Sequence, residues 1–126
     1  MHAVACTPGP RDLSHRGWTE DMEFRVLPDP APPYARERIT YKVVVRDSKT
    51  GQPIEGGEGQ IFASSRDGKD IYDSLEPGPE LGTYYGKLNF VTAGEWAVAI
   101  RFRRDSTKKL ERLDWMQEVG ASRGER

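Results

Sequence analysis

Cysteine and histidine are almost missing from this chain of 126 residues, which has one of the first and two of the second. A single cysteine, Cys6, rules out an internal disulfide and any cysteine-based zinc cluster. His2 and His15 both fall near the start, so Ser-His-Asp and Cys-His arrangements for nucleophilic catalysis have almost no scaffold. Apolar runs are short, and none approaches the length of about 20 residues needed to span a bilayer. Charge of one sign is lacking too. Lys and Arg number 19 against 20 Asp and Glu, for a net charge of -1. That balance removes the electrostatic argument for nucleic acid, which favours a clustered basic face.

What the chain does contain is alternation. Phe24 and Val26 lie on one side of the stretch from Met22 to Leu27, with Glu23 and Arg25 on the other. Ile39, Tyr41, Val43 and Val45 do the same within Arg38 to Arg46, and Ile61 and Ala63 within Gln60 to Ser64. Side chains change face at every residue of a strand, so these periods of two predict strands with one buried face. The stretch with the strongest pattern is Gly82 to Phe102. Tyr84, Leu88 and Phe90 share one face before Thr92-Ala93-Gly94, and Trp96, Val98, Ile100 and Phe102 share one after it. Its expected form is a pair of neighbouring antiparallel strands at the centre of the core. Full burial of each large side chain contributes roughly 1.5–3 kcal/mol.

Between these runs stand turn formers. Pro28-Asp29-Pro30-Ala31-Pro32-Pro33 ends the first strand, because proline has no backbone donor for a ladder. Asp47 to Pro53, Arg66-Asp67-Gly68-Lys69 and Asp105-Ser106-Thr107 read as turns, and Asp70 to Ser74 as a short edge strand. Gly56, Gly57 and Gly59 beside a strand indicate close strand approach, since no helix follows to make a phosphate cradle. Lys108 to Val119 fits a strand with Leu113, Trp115 and Val119 on one face, or a helix with Leu110, Leu113 and Met116 aligned. The strand is preferred because it would cover the edge of the Trp96 strand.

About seven short strands and no firm helix describe an all-β fold, an antiparallel immunoglobulin-like β-sandwich held by packing alone. The expected organisation is a flexible N-terminal tether over 1–20, the sandwich over 21–119, and a C-terminal tail over 120–126. Trp18, at the end of the tether, is read as a cap on a core edge.

Ala3-Val4-Ala5-Cys6 is small and apolar, and a polar stretch with Pro8, Gly9 and Pro10 follows it. It resembles the end of a bacterial lipoprotein signal, which makes Cys6 a lipidation candidate; the charged and apolar regions of such a signal do not precede it. A free thiol on a tail is the alternative.

The order of elements, with RDSKTGQPI after an apolar strand and then GTYYGKLNFVTAGEW, resembles the YtkA-like family of bacterial extracytoplasmic domains. The resemblance covers roughly Met22 to Arg104, and Gly82, Tyr84, Phe90, Gly94 and Trp96 carry it. It implies an exported domain, and through the family's copper-handling and oxidase-assembly relatives a link to metal trafficking. Copper needs Met, His or Cys held close together. His2, His15, Cys6, Met22 and Met116 show no His-x-His or Met-x-x-Met spacing.

Asp67, Asp70 and Asp73 do not follow a calcium-loop pattern. Glu55, Glu58, Glu76 and Glu80 supply carboxylates that a catalytic pair would need to bring together in space. The resulting expectation is a non-enzymatic binding module, with no cofactor and no metal site, that engages an unidentified protein partner. Tyr72, Tyr85 and Trp115 are its candidate contact residues, and a lipid anchor its one route to a membrane. A cytoplasmic structural domain is the rival reading.

Overall fold

The computed structural model describes residues 14–122, all of its regular structure extended. The strands are β1 (His15–Trp18), β2 (Met22–Asp29), β3 (Arg38–Asp47), β4 (Glu58–Ser65), β5 (Asp70–Ser74), β6 (Glu76–Pro77), β7 (Thr83–Asn89), β8 (Gly94–Arg103) and β9 (Glu111–Val119). They form a five-stranded sheet in the order β1-β2-β3-β7-β6 and a four-stranded sheet in the order β5-β4-β8-β9, antiparallel throughout. Without β1, these are the two layers of an immunoglobulin-type sandwich, with one added strand at the edge of the four-stranded sheet.

Periodicity identified the inner faces correctly. Phe24, Val26, Ile39, Tyr41, Val43 and Val45 line one wall of the core, and Ile61, Ala63, Trp96, Val98, Ile100 and Phe102 the other. Edge-to-face aromatic pairs join the walls, Phe24 to Phe102 at 5.8 Å and Tyr84 to Phe102 at 5.0 Å between ring centres. The Tyr84 hydroxyl donates to the Ile54 carbonyl at 2.7 Å and accepts the Gly57 N–H at 3.0 Å, which fixes the loop before β4. Gly82, at φ 71°, has no room for a side chain, since a Cβ there would sit 2.9 Å from the Val45 carbonyl.

The stretch from Gly82 to Phe102 differs from its expected form. β7 and β8 do not pair; they belong to opposite sheets, and Thr92-Ala93-Gly94 carries the chain across the sandwich. Their apolar faces meet through the core instead, with Phe90 edge-to-face on Trp96 at 5.2 Å. The Trp96 indole N–H holds the crossing by donating to the Thr92 carbonyl at 2.9 Å. Alternation shows which face is buried but not which sheet buries it.

Three other boundaries shift. The stretch expected to be a tether contains β1, whose partner is β2, and Trp18 at its end is 60% exposed and so does not cap the core. β2 runs on through Pro28, which lies opposite Tyr41. β6 brings the strands among the described residues to nine, two more than the sequence suggests. The preference for a strand near the C-terminus holds, as β9 pairs along β8 from Phe102–Glu111 to Gly94–Val119.

Candidate partner-binding face

Because Ile61, Ala63, Val98 and Ile100 point inward, the residues between them point outward from the four-stranded sheet. Tyr72, Phe62, Ala99 and Asp114 form one row across its four strands, and Ser74, Gln60, Arg101 and Arg112 the next. The Arg101 and Arg112 guanidinium carbons lie 4.9 and 5.0 Å from the centre of the Phe62 ring. Each contact is worth about 0.5–1 kcal/mol at an exposed site. The Arg112 Nε–H donates to both carboxylate oxygens of Asp114, at 2.9 and 3.0 Å, and the carboxylate balances one of the two cations. Tyr72 is 71% exposed beside this cluster, and Met116 is exposed further along the face.

Tyr72 also sits on an edge strand. The Ser65 N–H donates to the Lys69 carbonyl and the Leu75 N–H to the Gly59 carbonyl, so the hydrogen-bonded positions of β5 toward β4 are the odd-numbered ones. The alternation of an antiparallel ladder then turns the backbone N–H and C=O of Asp70, Tyr72 and Ser74 away from β4. A recess of about 200 Å³ over Phe62 and Arg101 adjoins β5 on one side. A second, of about 480 Å³, lies between β5 and the Lys87–Asn89 end of β7 on the other. There the Asp73 carboxylate accepts the Lys87 N–H at 2.8 Å and covers part of the edge of β7.

The three candidate contact residues do not share a surface. Tyr72 is exposed on β5. Tyr85 is half-buried on the outer face of the other sheet, in register with Lys42 and Glu76. Trp115 turns inward, stacked on His15 at 5.0 Å and edge-to-face with Tyr41 at 6.5 Å, where β1 and β9 close one side of the sandwich. Burial there lowers the His15 pKa from its ordinary value. Cys6 and His2 lie outside the described residues.

The copper candidates that are described do not converge. Met22 is buried on the inner face of β2, whereas Met116 is 58% exposed on the outer face of the other sheet. His15 lies against Trp115. The carboxylates are dispersed as well: Glu58 pairs with Arg103 at 2.6 Å on the four-stranded sheet, and Glu80 with Lys42 at 3.1 Å on the five-stranded one. Asp67, Asp70 and Asp73 each serve a separate local partner, namely Ser65, Ser64 and the Lys87 N–H.

Phe62, Arg101 and Arg112 are not among the residues that the sequence singles out. The available signal was period two in β4, β8 and β9, which directs all three outward. Their meeting depends on the register between strands, and composition does not encode it.

No family model matches the chain, and no curated protein matches it. Two solved structures share its fold. A DUF4426 family protein from Pseudomonas aeruginosa superposes with a TM-score of 0.67 at 12% identity, covering 86% of this chain and 96% of that one. A copper-bound variant of FetP from uropathogenic Escherichia coli superposes with a TM-score of 0.55 at 10% identity, covering 84% and 88%. At such identities the likeness is one of fold: this chain is an antiparallel β-sandwich similar to both.

Proposed function

We propose that this chain is a non-enzymatic binding domain that meets a protein partner along β5 and the outer face of the four-stranded sheet, with Tyr72 at the centre of the contact. The observation that carries the reading is the 71% exposure of Tyr72 on an edge strand beside Phe62 and its two guanidiniums. Aromatic residues and arginine are enriched in protein interfaces, and an unpaired strand edge offers backbone hydrogen bonds to an incoming strand. The dispersal of the carboxylates and the packing of His15 on Trp115 support binding over catalysis.

The domain acts outside the cytoplasm in this reading, held by a lipid on Cys6. The lipoprotein-like sequence at Cys6 and the resemblance to exported domains support that placement. Intact mass and membrane partition of the native protein test it. Copper handling finds no support in Met22 and Met116, which face opposite ways.

To test the contact face, a photo-crosslinking amino acid is placed at Tyr72 and, separately, at the exposed turn residue Lys49, in the native host. A discrete protein adduct from position 72 and none from position 49 is the expected outcome. Equal adducts from both positions, or none from 72, would remove β5 as the contact.

A further inference from the structure

β5 turns the backbone N–H and C=O of Asp70, Tyr72 and Ser74 away from β4, and the side chains of these three are exposed on the outer face. Ile71 and Asp73, half-buried, lie on the side of the recess between β5 and the end of β7. A strand that adds to this edge antiparallel sets its own side chains directly opposite these five, on the same faces. Like charges placed so destabilise the pair. That condition selects both an occupant and a register. When a second β5 lies antiparallel with Tyr72 facing Tyr72, Asp70 falls opposite Ser74 and Ile71 opposite Asp73, so no aspartate meets another. A slip of one residue sets Asp70 opposite Asp73 and turns the incoming side chains to the wrong faces.

Cations stand on both faces where the incoming carboxylates arrive. Lys87 on β7 meets Asp73, and a Cβ on Gly86 would lie 3.7 Å from the Ser74 carbonyl, so β7 runs antiparallel past β5 and carries Asn89 toward Ile71. Asn89 is in register with Arg38, and both line the recess. The second copy's Asp73, opposite Ile71, therefore enters on the side of Arg38. Its Asp70, opposite Ser74, enters the outer row that continues through Gln60 to Arg101. Neither Arg38 nor Arg101 forms an ion pair with a carboxylate of the described residues.

We propose that the partner at β5 is a second copy of this chain, the two β5 strands pairing antiparallel about Tyr72 to join two four-stranded sheets into one. The inference rests on β5 being the contact edge and names its occupant. Tyr72, 71% exposed in one copy, lies beside its counterpart as an aromatic cross-strand pair. The contact is two-fold symmetric and occupies both edges, so assembly stops at two copies.

Disulfide trapping tests the register. Residues of a hydrogen-bonded antiparallel pair lie about 5.5 Å apart at Cα, inside the range of roughly 4.4–6.8 Å that a disulfide spans. In a Cys6→Ser background, Tyr72→Cys chains are expected to bridge on mild oxidation, and Lys49→Cys chains, altered at an exposed turn, are not. Asp70→Cys alone is expected not to bridge, because its two copies would stand four residues apart along the strand, about 13–14 Å. A mixture of Asp70→Cys and Ser74→Cys chains is expected to bridge. Sedimentation equilibrium of the native chain is expected to show a mass that rises with concentration from 14.2 kDa toward twice that value. The proposal is overturned if the native chain keeps the mass of one copy up to millimolar concentration, or if Tyr72→Cys bridges no faster than Lys49→Cys. Bridging of Asp70→Cys alone as fast as in the mixture overturns it as well. The photo-adduct at position 72 separates this failure from that of the contact face. An adduct at twice the chain's mass supports the second copy; an adduct to a different protein alone removes the second copy and keeps β5 as the contact; no adduct removes both.

Discussion

Tyr41 is fully buried, and its hydroxyl has no hydrogen-bond partner among the described residues. Burial accordingly drives its pKa well above the ordinary value. An unsatisfied buried hydroxyl costs about 1–3 kcal/mol, so Tyr41→Phe is expected to leave stability unchanged or raise it by up to about 1 kcal/mol. Urea denaturation checks this, and a loss of more than about 1 kcal/mol means the hydroxyl is bonded after all. Asp47 is the opposite case, a carboxylate with more donors than most. The Thr50 N–H, the Arg104 guanidinium and the Lys49 N–H all donate to it and hold its pKa far below the ordinary 3.8. A depressed pKa in the folded state means that this contribution is complete above the unfolded value and is lost as pH falls through the folded one. Asp47→Asn keeps an acceptor for the turn but loses the charge opposite Arg104. It is expected to unfold at lower urea than the native chain at neutral pH, with the two midpoints converging as pH drops from about 5 toward 2. A constant gap across that range would assign the pH dependence to other groups. The sequence marked Asp47 to Pro53 as a turn through its residue types, yet Arg104 arrives from just beyond the end of β8, and no local pattern announces it.

Each strand could be read from its own residues, because burial on one face writes period two into the sequence. Pairing could not, since the same period appears whether a strand's neighbour lies beside it or across the core. That is why β7 and β8, adjacent in sequence and both apolar on one face, read as a hairpin and prove to be opposite walls. β1 was missed for a related reason: Arg16 and Trp18 face solvent, and only His15 and Gly17 turn inward, too few to show a period. The glycines next to β4 gave a more specific signal of close approach, and the structure supplies its cause. A Cβ on Gly59 would lie 2.5 Å from the Arg101 carbonyl and 2.7 Å from the Phe102 ring, where β4 runs against β8. The carbonyl belongs to a strand paired on both sides and cannot retreat. Gly59→Ala is therefore expected to destabilise the fold by about 1–3 kcal/mol, as overpacking does. Chemical denaturation checks the figure, and a neutral result would mean that β4 and β8 can separate at this end.

At the scale of the whole molecule, what the sequence could not show is where charge collects. A chain with net charge -1 gives no hint that four of its cations meet over one recess, because Arg16, Arg25, Lys42 and Arg46 come from three strands and converge only through register. The same limit hid the cluster around Phe62. What unites the molecule is a single core to which both sheets contribute, from Met22 on β2 to Val119 on β9, with Trp115 packed against it. A domain of this size with one shared core is expected to unfold in one cooperative step. Its tryptophans make the claim testable, because they sample three environments: Trp96 inside the core, Trp115 between β1 and β9, and Trp18 in solvent. Fluorescence reports mainly on the first two, and far-UV circular dichroism on the strands of both sheets. The two midpoints in urea are expected to coincide, and Trp18→Phe is expected to leave them in place. A fluorescence change that precedes the loss of strand signal would show that β1 peels from β9 before the sandwich opens, and that His15 and Trp115 form a separate unit beside the core.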